Sequence, residues 1–419
     1  MNNWNKQYLL VIFRENVSNK DISIRRDALI NLNYKIFFWF HQRLNHKRVA
    51  LFTDSFYPNV DGVSYRVREV ASELSKRGFQ VRVFAPGHVT GTENFDGFQV
   101  VRQRGFPFPL YPQYRIPLKT SFSMEEAMKF APEIVHSHTP VSIGNLACRV
   151  SKKFSLNPLA TFHTFINDPG AMSRYIHLGM RASTMISKAF NLYLVNFYRK
   201  FRYVVAPSAF TKSILERLGF RNVIRQDIGI DLSIFRNLPS KDEARNALGI
   251  HRSSKIVLYM GRIGAEKNLD VLARAGSRLA ERGFSVLVCG TGPHLEELKI
   301  LSERINAGVK FMGFIPEQHK PLYYRSADVF FNPSLFENQS AVDIEAMAAG
   351  TPILVPRNSS QFEFLSSGLG GDAYTAEEQI PDLAESLISR SDLDPATTAS
   401  GYTVEKHVDR LLEIYGMLQ

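Results

Sequence analysis

From Arg48 onward the chain repeats one local pattern, a short apolar run that ends in a loop rich in Gly, Pro, Asn or Asp and then passes into a helical period. Val49-Ala50-Leu51-Phe52 leads into the loop Asp54–Ser64, after which Val63, Val67, Val70 and Leu74 recur at helical spacing until Gly78. The next run, Val81 to Phe84, closes at Ala85-Pro86-Gly87. Two buried strands joined by a helix make one unit of a doubly wound parallel sheet, and such sheets bind ligands at the carboxyl ends of their strands. The pattern starts afresh at Lys255–Met260 and continues through the runs Ser285–Cys289, Val309–Phe314 and Ile353–Val355. The fold class is therefore α/β, and 419 residues suffice for two such domains.

Chemistry-bearing residues sit where these strands end. Val329 to Pro333 is a short apolar run, followed by Glu337 in a turn and Glu345 on a helix that begins near Ser340; Ser340 with Asp343 makes a capping-box pattern. Eight helical residues would separate the two carboxylates by roughly 12 Å, and the free N–H groups at the helix start can receive a diphosphate. Ala346, Ala348, Ala349 and Gly350 keep that helix thin, and Gly350-Thr351-Pro352 stops it. On residue type alone, the same pair reads equally as two acids on a solvated helix.

Other candidate motifs are set aside. His136-Ser137-His138 has no further Cys or His at ligand spacing, so zinc is not expected. Gly290-Thr291-Gly292-Pro293 imitates a dinucleotide fingerprint, but Leu295 stands where its third Gly would be. Asp392-Leu393-Asp394 lies in a Ser- and Thr-rich tail and reads as a turn, so no catalytic metal is expected.

The segment Glu345–Pro352, EAMAAGTP, together with Glu337 eight positions before it, resembles the signature of the retaining glycosyltransferases of the GT-B fold, family 4 (group 1), closest to their lipid-glycosylating glucosyl- and mannosyltransferase branch. That resemblance implies two Rossmann-like domains facing a central cleft, a nucleotide-sugar donor (a UDP-sugar or GDP-mannose), and no cofactor or metal. By it Glu337 meets hydroxyls of the donor sugar and Glu345 the ribose, and Asn338, Gln339 and Ser340, which stand where many relatives carry Gly-Phe-Gly, complete the donor loop. Gly261-Arg262 and Lys267-Asn268 match the family's Gly-Arg, four residues, Lys-Asn loop, whose two cations face the diphosphate. Fixed cations there stabilise the departing nucleotide more in the transition state than in the substrate. Gly62 resembles the glycine under the donor diphosphate; on its own residue type it reads equally as a turn. PEIVHSHTP resembles the family's strand-end motif, whose second His, here His138, lies beside the donor sugar, where a neutral imidazole would bond a hydroxyl and pH would tune the rate. His163, in ATFHTF, resembles the acceptor-side Thr-x-His-Thr of the lipid-glycosylating branch. For both histidines a satisfied buried side chain is the alternative.

The implied organisation is an extension over 1–47, an acceptor-side domain over 48–230, a donor domain over 231–398 that follows a hinge at Gly229–Phe235, and a helix over 399–419 crossing back to the first domain. The extension holds eight Lys/Arg, three Asp/Glu and both tryptophans, Trp4 and Trp39. Its Ile36–Phe40 patch between Lys35 and Arg43 reads either as a lipid-interface segment or as an extra packed helix. From Pro169 to Leu215 there is no acidic residue, while cations alternate with Tyr175, Met180, Met185, Phe190, Tyr193, Leu194, Phe197, Tyr198 and Phe201. That composition, with a net charge of +11, fits an anionic membrane surface and a lipid acceptor. No nucleic-acid motif accompanies it. Two distant cysteines, no run of about 18 apolar residues and no signal-peptide core predict a cytoplasmic protein held peripherally on the membrane. A transferase with a soluble sugar or polysaccharide acceptor, and a non-catalytic nucleotide-sugar-binding scaffold, are the alternatives.

Overall fold

The structure, a computed structural model, describes residues 47–59, 61–108, 111–163 and 180–418. The Trp4 and Trp39 segment and the Arg174-Tyr175 part of the basic stretch lie outside the described residues.

Among the described residues, sixteen strands form three sheets: β1 (Arg48–Phe52), β2 (Gln80–Gly87), β3 (Gly91–Phe95), β4 (Phe98–Arg104), β5 (Phe106–Phe108), β6 (Tyr111–Ile116), β7 (Ile134–Ser137), β8 (Leu159–Thr161), β9 (Tyr203–Ala206), β10 (Val223–Arg225), β11 (Lys255–Met260), β12 (Phe284–Cys289), β13 (Val309–Gly313), β14 (Val329–Phe331), β15 (Ile353–Pro356) and β16 (Gly371–Tyr374). The first sheet has eight strands in the order β10-β9-β8-β7-β1-β2-β4-β3, the second has six in the order β13-β12-β11-β14-β15-β16, and β5 and β6 pair alone. Every neighbour pair in the two large sheets is parallel except β3 with β4.

Central strands read as continuous apolar runs because helices cover both faces. Val49 pairs with Val81 on one side and Ile134 on the other, and Val49, Leu51 and Phe52 are fully buried. In the second sheet, alternate residues feed two cores: Ile256, Leu258 and Met260 join Tyr324, Phe330 and Ile344 on one face, while Val257 and Tyr259 join Leu272, Phe331 and Leu354 on the other. Strand β2 runs on through Ala85-Pro86-Gly87 instead of closing there. Beyond Phe84 it pairs only with β4, so Pro86, which lacks an N–H, sits where β1 no longer needs one. Strands β3 to β6 carry no apolar run like those of the sheet centres, and pattern reading passed over them.

The last helix, Val404–Gly416, follows the second sheet in sequence yet packs on the first domain. Arg77 Nη1 donates to Asp409 Oδ1 at 2.5 Å, Tyr415 Oη lies 3.0 Å from His136 Nδ1, and Asn157 Nδ2 donates to the Leu418 carbonyl at 2.9 Å.

Candidate active site

Each large sheet reverses its strand order at one place, β1/β7 in the first and β11/β14 in the second. The loops leaving the carboxyl ends of adjacent strands that wind in opposite directions diverge, and a crevice opens between them. The β1 loop carries Gly62, the β7 loop His138 and the neighbouring β8 loop His163. The β11 loop carries Arg262 and Lys267, and the β14 loop Glu337 to Ser340 followed by Glu345 on the helix Ala341–Ala348. All the sequence-derived candidates therefore lie at strand carboxyl ends or on the helices that follow them.

In the second domain, adjacency of β11 and β14 brings Lys267 Nζ to 2.5 Å from Glu337 Oε1, with side-chain exposures of 23% and 16%. Burial pulls the Lys267 pKa down, but Glu337 and its neighbours outweigh that and the net shift is upward, so the ammonium stays charged. Arg262 pairs with Glu266, itself buried beside Gly264. Two glycines fix where this loop lies: a Cβ on Gly290 would stand 1.8 Å from the Gly261 carbonyl oxygen, and one on Gly292 would stand 2.2 Å from that of Ile263. The loop that imitates a dinucleotide fingerprint is thus the bed on which the Arg262 loop rests.

Glu345 is buried, accepts a 2.8 Å hydrogen bond from the Tyr324 hydroxyl and lies 3.9 Å from Lys320 Nζ. Burial raises its pKa against the pull of Lys320. The expected capping box is not formed. Ser340 is the N-cap residue, but its side chain makes no cap bond; Asn332 Nδ2 donates to Ser340 Oγ and to both Asp343 oxygens, turning Asp343 into the core. Asn338 and Gln339 bond residues of the first domain. Thr211 Oγ1 donates to the Asn338 backbone carbonyl at 3.3 Å and to its Oδ1 at 3.4 Å, Gln339 Oε1 accepts from the Ile228 N–H at 2.6 Å, and Gln339 Nε2 donates to Asp227 at 2.8 Å.

In the first domain, Gly62 is the first residue of the helix Gly62–Lys76, capped by Asp61 in a reciprocal box with Ser64. No heavy atom lies within 4 Å of where a Gly62 Cβ would be, so packing does not demand glycine there. Four residues on, Arg66 donates to the Gly229 carbonyl of the hinge and pairs with Glu69 at 2.6 Å, and Glu69 accepts from the Asp231 N–H at 2.8 Å. The Arg66 charge acts on both His163 and Glu345, one from each domain. Sequence reading missed Arg66, Glu69, Lys320 and Tyr324, because a helix-borne side chain announces no partner until the other domain is in place.

The histidines divide by partner. His136 is fully engaged, with Tyr415 at 3.0 Å and Thr161 Oγ1 at 2.8 Å. His138 Nδ1 lies 3.1 Å from His163 Nε2, and His138 Nε2 is buried without a hydrogen bond among the described residues. Burial first, then the neighbouring imidazoles, hold His138 well below the usual range, and burial with Arg66 pushes His163 down to about 3. Both shifts favour the neutral rings, so a rate profile is expected to show no histidine limb between pH 5 and 8.

Two carboxyls titrate in that range instead. Burial pushes Glu69 up from 4.5 to about 7 and Asp343 up from 3.8 to about 8. In these two groups the folded chain keeps protons that the unfolded chain has released, so their contribution to stability falls as pH rises from about 4 to about 8, while the buried neutral histidines His136, His138, His163 and His407 contribute the opposite slope up to about 6.5. Glu69→Gln removes one of the two falling contributions, so the urea midpoint of the wild type is expected to drop relative to that of Glu69→Gln as pH rises from 6 to 8. A difference between the two midpoints that stays constant across this window would contradict the assignment.

The basic helix Met180–Tyr198 presents two faces. Leu194, Phe197 and Tyr198, with Phe201 beyond its end, are buried against Phe162, Ala160 and Val204, so these aromatics fill the core and are not available to lipid. The exposed apolar residues are Met185, Ile186, Leu192 and Tyr193, at 73%, 39%, 64% and 40%. Among the described residues no helix is long and apolar enough to cross a membrane, and no group of three or more His, Cys, Asp or Glu could hold a metal ion.

Comparison with known proteins matches this division. Glycosyltransferase Family 4 matches residues 60–233 and Glycosyl transferases group 1 matches residues 240–395. An alpha-monoglucosyldiacylglycerol synthase from Streptococcus pneumoniae is 28% identical over 84% of this chain and 80% of its own length. A GDP-mannose-dependent alpha-mannosyltransferase from Corynebacterium glutamicum is 25% identical over 82% and 81%. Among solved structures, the sucrose-phosphate synthase of Thermosynechococcus elongatus superposes with a TM-score of 0.69 at 18% identity, over 89% of this chain and 99% of that one. The family 4 match takes in β2 to β10 with Gly62, His138 and His163, and the group 1 match takes in β11 to β16 with Arg262, Lys267, Glu337 and Glu345, so the chain belongs to the family 4/group 1 glycosyltransferases of the GT-B fold.

Proposed function

We propose that this enzyme moves a hexose, with retention of anomeric configuration, from a UDP- or GDP-linked donor to a membrane lipid or lipid-linked acceptor. The observation that carries the donor assignment is the 2.5 Å pair of Lys267 with Glu337 at adjacent strand ends. With donor bound, Lys267 and Arg262 face the diphosphate, Glu337 takes sugar hydroxyls, Glu345 the ribose, and the N–H groups around Gly62 the leaving group. His138 Nε2, buried and neutral, is free to bond a sugar hydroxyl. Cations in place of a metal neutralise the departing nucleotide, so no metal or cofactor is assigned. The Met185–Tyr193 stripe with Arg181, Lys188, Arg199 and Lys200 around it would hold the protein peripherally on an anionic, cytoplasm-facing membrane surface. The names of the relatives, a diacylglycerol-modifying synthase and a GDP-mannose-dependent mannosyltransferase, support this reading.

The test is donor turnover by purified protein in EDTA, with UDP-glucose, UDP-galactose or GDP-mannose and lipid vesicles carrying diacylglycerol. Lipid-dependent release of nucleotide and appearance of a glycolipid are expected. Equal turnover without lipid would transfer the assignment to a soluble acceptor.

A further inference from the structure

Between Glu133 and Glu216 the sequence holds a single acid, Asp168. Three of the described cations of that stretch, Lys152, Lys200 and Arg202, lie together where the helix Ser142–Phe154 ends and the helix Met180–Tyr198 runs out into the turn at 199–202. Here a hollow of about 310 Å³ is lined by Lys152, Lys200 and Arg202 with Ser151, Ser155 and Asn157. The three cations are exposed at its rim and Ser151 is buried in its wall. Buried Cys148 also lines the hollow, and the charges of Lys200 and Lys152 oppose the rise that burial imposes on its thiol.

Position on the long helix ties this hollow to the exposed stripe. Met185, Ala189, Leu192 and Asn196 recur at three- and four-residue steps, which places them on one face of the helix, and Lys200 follows in the turn beyond its end. Tyr193 leads the same way: Asn145 Nδ2 donates to its hydroxyl at 3.2 Å, and Lys200 Nζ donates to Asn145 Oδ1 at 3.4 Å. An apolar stripe thus ends in a cationic hollow with hydroxyl and amide groups inside, which is the order of groups met along a phospholipid from acyl chain to phosphate.

We propose that the Lys152/Lys200/Arg202 hollow is a headgroup site for an anionic phospholipid of the bilayer, separate from the acceptor subsite and setting which membranes the enzyme works on. The proposal rests on the lipid-acceptor reading above. Two exposed lysines contribute charge and hydrogen bonds to one phosphate, whereas cations farther than a Debye length from the surface contribute little.

The test is sedimentation of the full chain with vesicles of phosphatidylcholine alone or with phosphatidylglycerol, at fixed ionic strength. Lys152→Ser/Lys200→Ser is expected to weaken binding to the phosphatidylglycerol vesicles by about 10-fold or more. Arg304→Ser/Lys310→Ser, with equal charge loss in the second domain, is expected to change it by less than about 2-fold. Equal weakening by both pairs, or displacement from the vesicles by a few millimolar inorganic phosphate, would overturn the proposal, the first because only net charge counts and the second because the hollow then takes a soluble anion. Donor turnover is read in parallel: selective binding through the hollow with no donor turned over leaves the site standing and defeats the transferase reading, and turnover with no selectivity does the reverse.

Discussion

Replacing Lys267 with alanine is expected to lower kcat by about 100- to 1,000-fold, with a smaller effect on donor KM. The magnitude follows from where the charge is and what it faces. Lys267 Nζ is held 2.5 Å from Glu337 in a part of the loop only 23% exposed, so it is fixed before the donor arrives and poorly screened. A diphosphate gains negative charge as the glycosidic bond breaks, and a cation that need not reorganise stabilises that change more than it stabilises the bound donor. Removing it also strands the Glu337 carboxylate without its counterion, which in the proposed donor complex would add to the unfavourable negative charge. Lys267→Arg keeps the charge but not the point contact and should recover part of the rate. Glu337→Gln should also be slow, through lost sugar positioning, and the double variant should fall well short of the product of the two single losses because the residues act as a pair. A kcat within about 3-fold of wild type in Lys267→Ala would remove Lys267 from the chemistry.

The second large effect is on stability. Asp54→Ala is expected to cost about 3 kcal/mol or more, lowering the melting temperature of the first domain by about 6 to 12 °C. Asp54 leaves the end of β1 and is buried; its carboxylate accepts from Thr139 Oγ1 at 2.6 Å and from the N–H groups of Val141, Ile143 and Gly144 at 3.2, 2.7 and 3.2 Å. It therefore caps, from another element, the start of the helix Ser142–Phe154, where a negative charge also meets the positive end of the helix dipole. Burial pushes the Asp54 pKa upward, and these four donors work against that push. Gly144 permits the arrangement, since a Cβ there would stand 1.7 Å from the Thr139 carbonyl oxygen. Alanine at 54 leaves buried donors without an acceptor. Thermal melting followed by circular dichroism reads the outcome, and a shift under about 2 °C would mean that water replaces the carboxylate.

The architecture was open to sequence reading wherever one face of an element decided its fate. Continuous apolar runs ending in Gly, Pro or Asn can only be central parallel strands, and β1, β11, β12 and β15 appear where the runs place them. Strand β3 at the sheet edge and the separate pair β5/β6 carry no such run, since they are half solvated, and in β4, which lies between β2 and β3, polar Gln99, Arg102 and Gln103 flank Val100-Val101.

The site divides in the same way. That Arg262, Lys267, Glu337 and Glu345 lie at strand ends follows from local pattern, because a doubly wound sheet gives its carboxyl ends one destiny. Their partners belong to the tertiary structure. Only the adjacency of β11 and β14 makes Lys267 the counterion of Glu337, only the hinge gives Arg66 and Glu69 backbone groups to hold, and Asn332 withdraws Asp343 from the cap that its spacing announces. The aromatics of the basic helix show the limit plainly: composition marks them as lipid-facing, yet Leu194, Phe197 and Tyr198 are buried at 1%, 1% and 2% while Met185 and Leu192 stay exposed. Periodicity says that a helix has two faces. Which face meets the core depends on what packs against it, and that is decided between elements, not within one.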